Sequence, residues 1–170
     1  MPATYNSIAT TTVSGSSTTS ITFSSIPSGY TDLKIVFFAS SNNRTLWVRF
    51  NGDTGGNYSS TWLQATGTSI GNGLEGPNST FINLGAALGM SSTIPSLYSI
   101  DILSYSGSTN KTLLSTFSGD KNGGINNGLE IDIALWRNTS AISTILLQCG
   151  NGADFFVAGS MATLYGILRA

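Results

Sequence analysis

Hydrophobic and polar residues alternate with a period of two along most of this chain. In SITFSSI, Ile21 and Phe23 alternate with hydroxyl residues. DLKIVFFA is a nearly continuous apolar run, the pattern of a strand buried on both faces. TLWVRF places Leu46, Val48 and Phe50 on one face and Trp47 and Arg49 on the other. LYSIDILSY groups Tyr98, Ile100 and Ile102, with Asp101 opposite. The cleanest alternation is LEIDIALW, where Leu129, Ile131, Ile133 and Leu135 share one face and Glu130, Asp132, Ala134 and Trp136 the other. STFINL, KTLLSTF, ISTILLQC and MATLYGIL complete the set.

Turn residues separate these runs: IPSGY, FNGDTGGN, TGTSIGNG, LEGPNS, YSGSTNK, SGDKNGGINNG and QCGNGAD. Glycine supplies positive φ there, and Asn and Asp tolerate it. No window sustains a helical period with caps; GAALGM is the most helix-like piece, and its glycines make it poor. One strand every 10–15 residues or so is the spacing of a sandwich or barrel. The expected fold is therefore all-β: a jelly-roll-like β-sandwich of about 8–11 short antiparallel strands, with no helix beyond about two turns. Leu33, Ile35, Phe37, Val48, Phe50, Ile100, Ile102, Ile131, Ile133, Leu146 and Leu164 are the expected core. No repeat and no long linker divides the 170 residues, which read as one domain over 1–170.

Composition narrows the function. Charged residues are 9 % of the chain and the net charge is -1, so no cluster of Lys and Arg offers a nucleic-acid footprint. About a quarter of the chain is Ser or Thr, well above ordinary usage. A surface of hydroxyls and amides can replace charge, above all where neighbouring subunits cover it. The single cysteine, Cys149, allows no internal disulfide. MPATYNSIATTT has neither the basic nor the apolar region of a secretory signal, and no apolar stretch approaches the roughly 18 residues of a membrane span. Asn-x-Ser/Thr sequons at Asn43, Asn57, Asn78, Asn110 and Asn138 are what so much Asn, Ser and Thr produces by chance.

The candidate chemistry is sparse. Histidine is absent, which removes Ser-His-Asp and Cys-His catalysis and most zinc sites. Cys149 lies in the apolar run ILLQC and reads as a small buried hydrophobe. SGDKNGG lacks Walker spacing. Among the carboxylates Asp53, Glu75, Asp101, Asp120, Glu130, Asp132 and Asp154, the pair Glu130 and Asp132 shares a strand face with Trp136. Paired carboxylates beside a tryptophan suit a glycan site; a solvated or intersubunit strand face gives the same pattern. In RFNGDTGGNYSS, Asn51, Asp53, Thr54 and Asn57 offer hard oxygens for a weak calcium site. The same residues suit a corner, with Asn51-Gly52 turning the chain, Asp53 capping the turn and Gly55-Gly56 allowing a second reversal. The corner is the expectation, and no metal or cofactor is expected to be required.

Three segments carry a resemblance. They are PATYNSIATTTVSG with SITFSSIPSGYTDLKIVF, then RFNGDTGGNYSS, then ALWRNTSAISTI with FVAGSMATLYGI. Together, and in this order, they resemble small virion structural proteins of tailed bacteriophages, and they span most of the chain. The resemblance implies a jelly-roll sandwich on the outer surface of the particle. The commonest such role is a non-enzymatic capsid decoration, or cement, protein that binds the major capsid protein and stabilises the head. Head fibres and tail fibres that recognise host surface glycan are the other role it implies. No functional residues carry over, because the shared motifs are turns and core. A homotrimer suits a decoration on an icosahedral lattice. Residues 1–12 read as a possible assembly arm, beginning at Pro2 and anchored by Tyr5 and Ile8, and the aromatics Trp47 and Trp136 are further candidate partner contacts.

Overall fold

The computed structural model of the chain describes residues 4–15, 18–42, 45–86, 88–120 and 128–168. Asn43, the first three residues of the expected arm and most of the SGDKNGGINNG turn lie outside them. Twelve strands run through the described residues: β1 (Tyr5–Thr12), β2 (Ser20–Phe23), β3 (Asp32–Ala39), β4 (Leu46–Phe50), β5 (Tyr58–Thr66), β6 (Ile70–Ser79), β7 (Ile82–Leu84), β8 (Ser96–Leu103), β9 (Lys111–Gly119), β10 (Gly128–Trp136), β11 (Ile145–Cys149) and β12 (Met161–Ile167). They form two antiparallel sheets, one of eight strands in the order β1-β12-β3-β8-β9-β10-β5-β6 and one of four in the order β2-β11-β4-β7. The molecule is the all-β jelly-roll-like sandwich that the alternation predicts. Its strands exceed the expected 8–11, mainly because Ile70–Ser79, which reads as two turns, is a strand.

The core fills the space between the sheets. Leu33, Ile35 and Phe37 on β3 and Ile100 and Ile102 on β8 have no exposed surface. They pack in one cluster with Ile21 and Phe23 of β2, Leu46, Val48 and Phe50 of β4, and Ile145 and Leu147 of β11. Leu164 of β12 is buried with them. Phe37 meets Tyr98 and Phe156 with ring centroids 6.2 and 5.1 Å apart.

Three expected core residues do not belong there. Ile133 is 58 % exposed and Ile131 37 %, while their neighbours Glu130, Asp132 and Trp136 have no exposed surface. Strand β10 thus presents the opposite face from the one its hydrophobicity suggests, and a strand slipped by one residue exchanges both faces at once. Trp136 decides the matter. Its indole stacks with Tyr58 at 6.3 Å and tilts against Phe50 at 5.4 Å, and its Nε1 donates to Asp53 at 2.7 Å, a combination of ring packing and hydrogen bond that no aliphatic side chain of the other face could supply. Leu146 is the third, half-buried on β11, because Ile145, Leu147 and Cys149 take the inner face of that strand. ILLQC carries apolar residues on both faces, so alternation does not discriminate there.

Strand β1 contains most of the described part of the expected arm. It pairs along its length with β12, from Tyr5 opposite Ile167 to Thr12 opposite Met161, and forms one edge of the large sheet.

This register makes a contrast measurable. In the isolated protein, Ile133→Ala is expected to change stability by less than about 0.5–1 kcal/mol, as at other surface positions. Ile100→Ala, fully buried, is expected to cost about 2–5 kcal/mol. Denaturant unfolding of the two variants checks it; equal costs would place Ile133 inside.

Candidate interaction surface

The large sheet extends beyond the small one, and its outer face carries the apolar residues that β10 turns away from the core. Four neighbouring strands, β9, β10, β5 and β6, build this face. Ile133 lies between Leu114 of β9 and Thr61 of β5, and Thr61 pairs onward with Leu74 of β6. Ile131 lies beside Leu63, and Leu129 beside Ala65, which pairs with Ile70. Leu63 is 50 % exposed and Leu74 73 %. Between these residues stand Thr112, Thr116, Ser118 and Ser59.

The charges of these four strands lie on the other side. Lys111, Glu130 and Asp132 are buried, and Glu75 sits opposite the buried Ser60. At the rim, Lys34 and Asp101 pair at 2.8 Å across β3 and β8. Arg137 closes one end through Ser59 Oγ at 3.0 Å and the Tyr58 carbonyl at 2.9 Å. A groove of about 560 Å³ lined by Phe38, Ile94, Pro95, Leu97 and Asp120 flanks the opposite end. The arrangement is a neutral, apolar-and-hydroxyl surface with a charged rim, the anatomy of a protein contact. Strand spacing and rise give it about 19 by 30 Å, so two such faces together bury about 1,200 Å², the lower range of specific interfaces.

The calcium candidates Asn51, Asp53 and Asn57 lie on the corner that the sequence predicts. Asn51 at φ 53° and Gly52 at φ 67° form a two-residue turn closed by the Asp53 amide on the Phe50 carbonyl at 2.9 Å. Both central residues need positive φ, which explains Asn-Gly. The turn carries the chain from β4 in the small sheet to β5 in the large one. Asn51 Oδ1 accepts the amides of Ser143 and Thr144 at 2.9 and 3.1 Å. Asp53 accepts the Gly55 amide at 2.8 Å, Asn57 Nδ2 at 2.9 Å and Trp136 Nε1 at 2.7 Å. Both of its oxygens accept N–H donors of the corner and of β10.

The remaining candidates scatter. Trp136 is buried in the core. Trp47 stacks on Phe81 at 3.7 Å with the Arg49 guanidinium near both rings, so its own chain covers it. Tyr5 is exposed against the edge of Tyr165, and Ile8 packs on the core. Cys149 is buried and bonded to Ser41 Oγ at 2.8 Å. Glu130 and Asp132 are neither solvated nor in a cleft; they face the interior with Trp136. The apolar outer face escaped the sequence reading because its residues looked like core. The signal that could have found it is Trp136 at the end of the opposite face.

Asp53 links the corner to that tryptophan. Burial pushes its carboxyl up, but the bonds from Trp136, Asn57 and Gly55 outweigh burial and hold it below 3.8. Its stabilisation is therefore present above pH 3.8 and lost as pH falls through the depressed folded value. Asp53→Ala is expected to cost about 1–3 kcal/mol at neutral pH, since it strands the buried indole N–H. Thermal melts should also show a smaller loss on acidification below pH 3.8 in the variant than in the wild type.

Neither a protein-family model nor a curated protein matches the sequence. Among solved structures, the chain is similar to the galectin LEC-6 of Caenorhabditis elegans, at 9 % identity and a TM-score of 0.34, over 95 % of this chain and 90 % of that one.

Proposed function

We propose that this protein is a non-enzymatic structural component of a tailed-bacteriophage virion, a decoration protein that seats on the outer surface of the major capsid protein. The observation that supports the reading most is the uncharged outer face of β9, β10, β5 and β6, with Ile133, Leu63 and Leu74 exposed on it. A monomer gains nothing from displaying these residues, whereas a subunit that lies on a shell covers them. The segments that resemble virion proteins include ALWRNTSAISTI, whose first residues end the strand that creates this face. In this reading the protein assembles as a homotrimer and stabilises the head by adding non-covalent contacts across neighbouring capsid subunits.

Mass spectrometry and electron microscopy of purified particles test the assignment. Copies in the hundreds on the head are expected; a few copies on the tail would indicate a fibre instead. Leu63→Asp with Ile133→Asp is expected to lower the amount bound to undecorated heads at least tenfold, while the free subunit keeps its melting temperature. Undiminished binding by the double variant would remove this face from the contact.

A further inference from the structure

The inner face of the large sheet turns polar where β9, β10 and β5 meet. Ser115, Asp132 and Trp62 form one row across the three strands, and Phe117, Glu130 and Gln64 form the next. Ser115, Glu130 and Asp132 have no exposed surface. Tyr98, equally buried, pairs with Phe117 on β8. Burial raises the pKa of its phenol, and the nearby charges of Glu130 and Asp132 raise it further. Its hydroxyl fills the space that a Cβ on Gly85 would need, 2.5 Å away, and Gly85 holds φ at +68°.

The oxygens gathered here are short of partners. Tyr98 OH, Ser115 Oγ, Gln64 Oε1 and Ser60 Oγ make no hydrogen bond, and the oxygens of Asp132 have no partner but the neighbouring carboxyl of Glu130. They account for nearly all the buried side-chain oxygens in that condition among the described residues; Asn83 Oδ1 is the other. Buried polar groups are normally satisfied, so a cluster of exceptions in one place points to a bound species that they surround. Glu130 is anchored by the Ala86 amide on its Oε1 at 3.0 Å. The inward Lys111 does not serve the acids, because its ammonium bonds the carbonyls of Gly107, Thr109 and Thr139.

Two adjacent buried carboxyls need neutralising. We propose that this patch is an internal site for one calcium-type divalent cation, with the carboxylates of Glu130 and Asp132 as charged ligands and the oxygens of Ser115, Tyr98 and Gln64 in its shell. The donor set is all oxygen, with no thiol or imidazole, which selects hard cations. Calcium accepts six to eight such ligands in irregular geometry, whereas magnesium keeps an octahedron and its waters. Bound there, the ion ties β8, β9, β10 and β5 together and, through Glu130 and Ala86, holds the segment that follows β7. The alternative neutraliser is a proton: without an ion, burial first, then the charge of Glu130 and a bond between the two carboxyls push Asp132 up to about 9.

The full chain, purified without chelator, is tested by metal analysis and by melting in calcium chloride and in EGTA. One calcium per chain is expected in the wild type, with a melting temperature several degrees lower in EGTA and restored by calcium. Asp132→Asn and Glu130→Gln are expected to lose both the ion and the response, while Asn57→Ala, at the Asn51–Asn57 corner, keeps them. Ser115→Ala, a milder change, should retain the fold and need more calcium for the same effect. A metal-free wild type whose melting is indifferent to calcium and EGTA overturns the proposal. So does stability that simply rises on acidification with no calcium effect, which is the signature of the shared proton. A response abolished by Asn57→Ala rather than by Asp132→Asn overturns it too.

Discussion

The hydrogen bond from Trp136 Nε1 to Asp53, together with the burial of that indole against Phe50 and Tyr58, is the constraint on which much of this molecule depends. Trp136 ends β10, and with its ring inside every second residue of the strand must follow it. Ala134, Asp132 and Glu130 go into the sandwich; Leu135, Ile133, Ile131 and Leu129 go out. The exposed apolar face and the buried acids are therefore two results of one choice. Neither can be altered by moving the strand without losing the tryptophan. The acceptor of the bond sits on the corner between the two sheets, so the choice also couples β10 to the place where the chain changes sheet.

Much of the architecture was legible because most strands obey one rule. In β4 and β8 the inner face holds Leu46, Val48, Phe50, Tyr98, Ile100 and Ile102, with Arg49 and Asp101 on the other side, as alternation predicts. Strand β3, expected to be buried on both faces, buries Leu33, Ile35 and Phe37 but leaves Phe38 46 % exposed on its outer face, because the small sheet covers one side only. The Asn51-Gly52 corner was legible for a local reason: two consecutive positive φ values leave little choice of residue. The candidate surface was not legible. Alternation reports that β10 has two distinct faces, but not which is inside. Summed hydrophobicity favoured the Leu and Ile face, and tertiary packing of one aromatic at the strand end overrode it.

Strand β6 failed for another reason. Its sequence, IGNGLEGPNS, is dense in turn formers, yet Gly73 is required by its neighbour. A Cβ there would stand 2.3 Å from the Trp62 ring, and one on Gly71 2.7 Å from Gln64. These glycines serve close approach across a strand pair, a use of glycine that sequence cannot separate from turning. Pro77 is admitted because β6 is an edge of the sheet.

The placement of β12 between β1 and β3 has a consequence for how the molecule comes to exist. The first and third strands of the chain have no partner in common until the twelfth arrives, so the large sheet stays divided while the polypeptide emerges from the ribosome. Contacts of such sequence separation close late and slowly, placing folding in the millisecond-to-second regime of non-local β topologies. Until then β3, rich in apolar residues, has an unpaired edge on which another chain can pair, so the interval before β12 is made is the one in which the nascent chain is most open to aggregation.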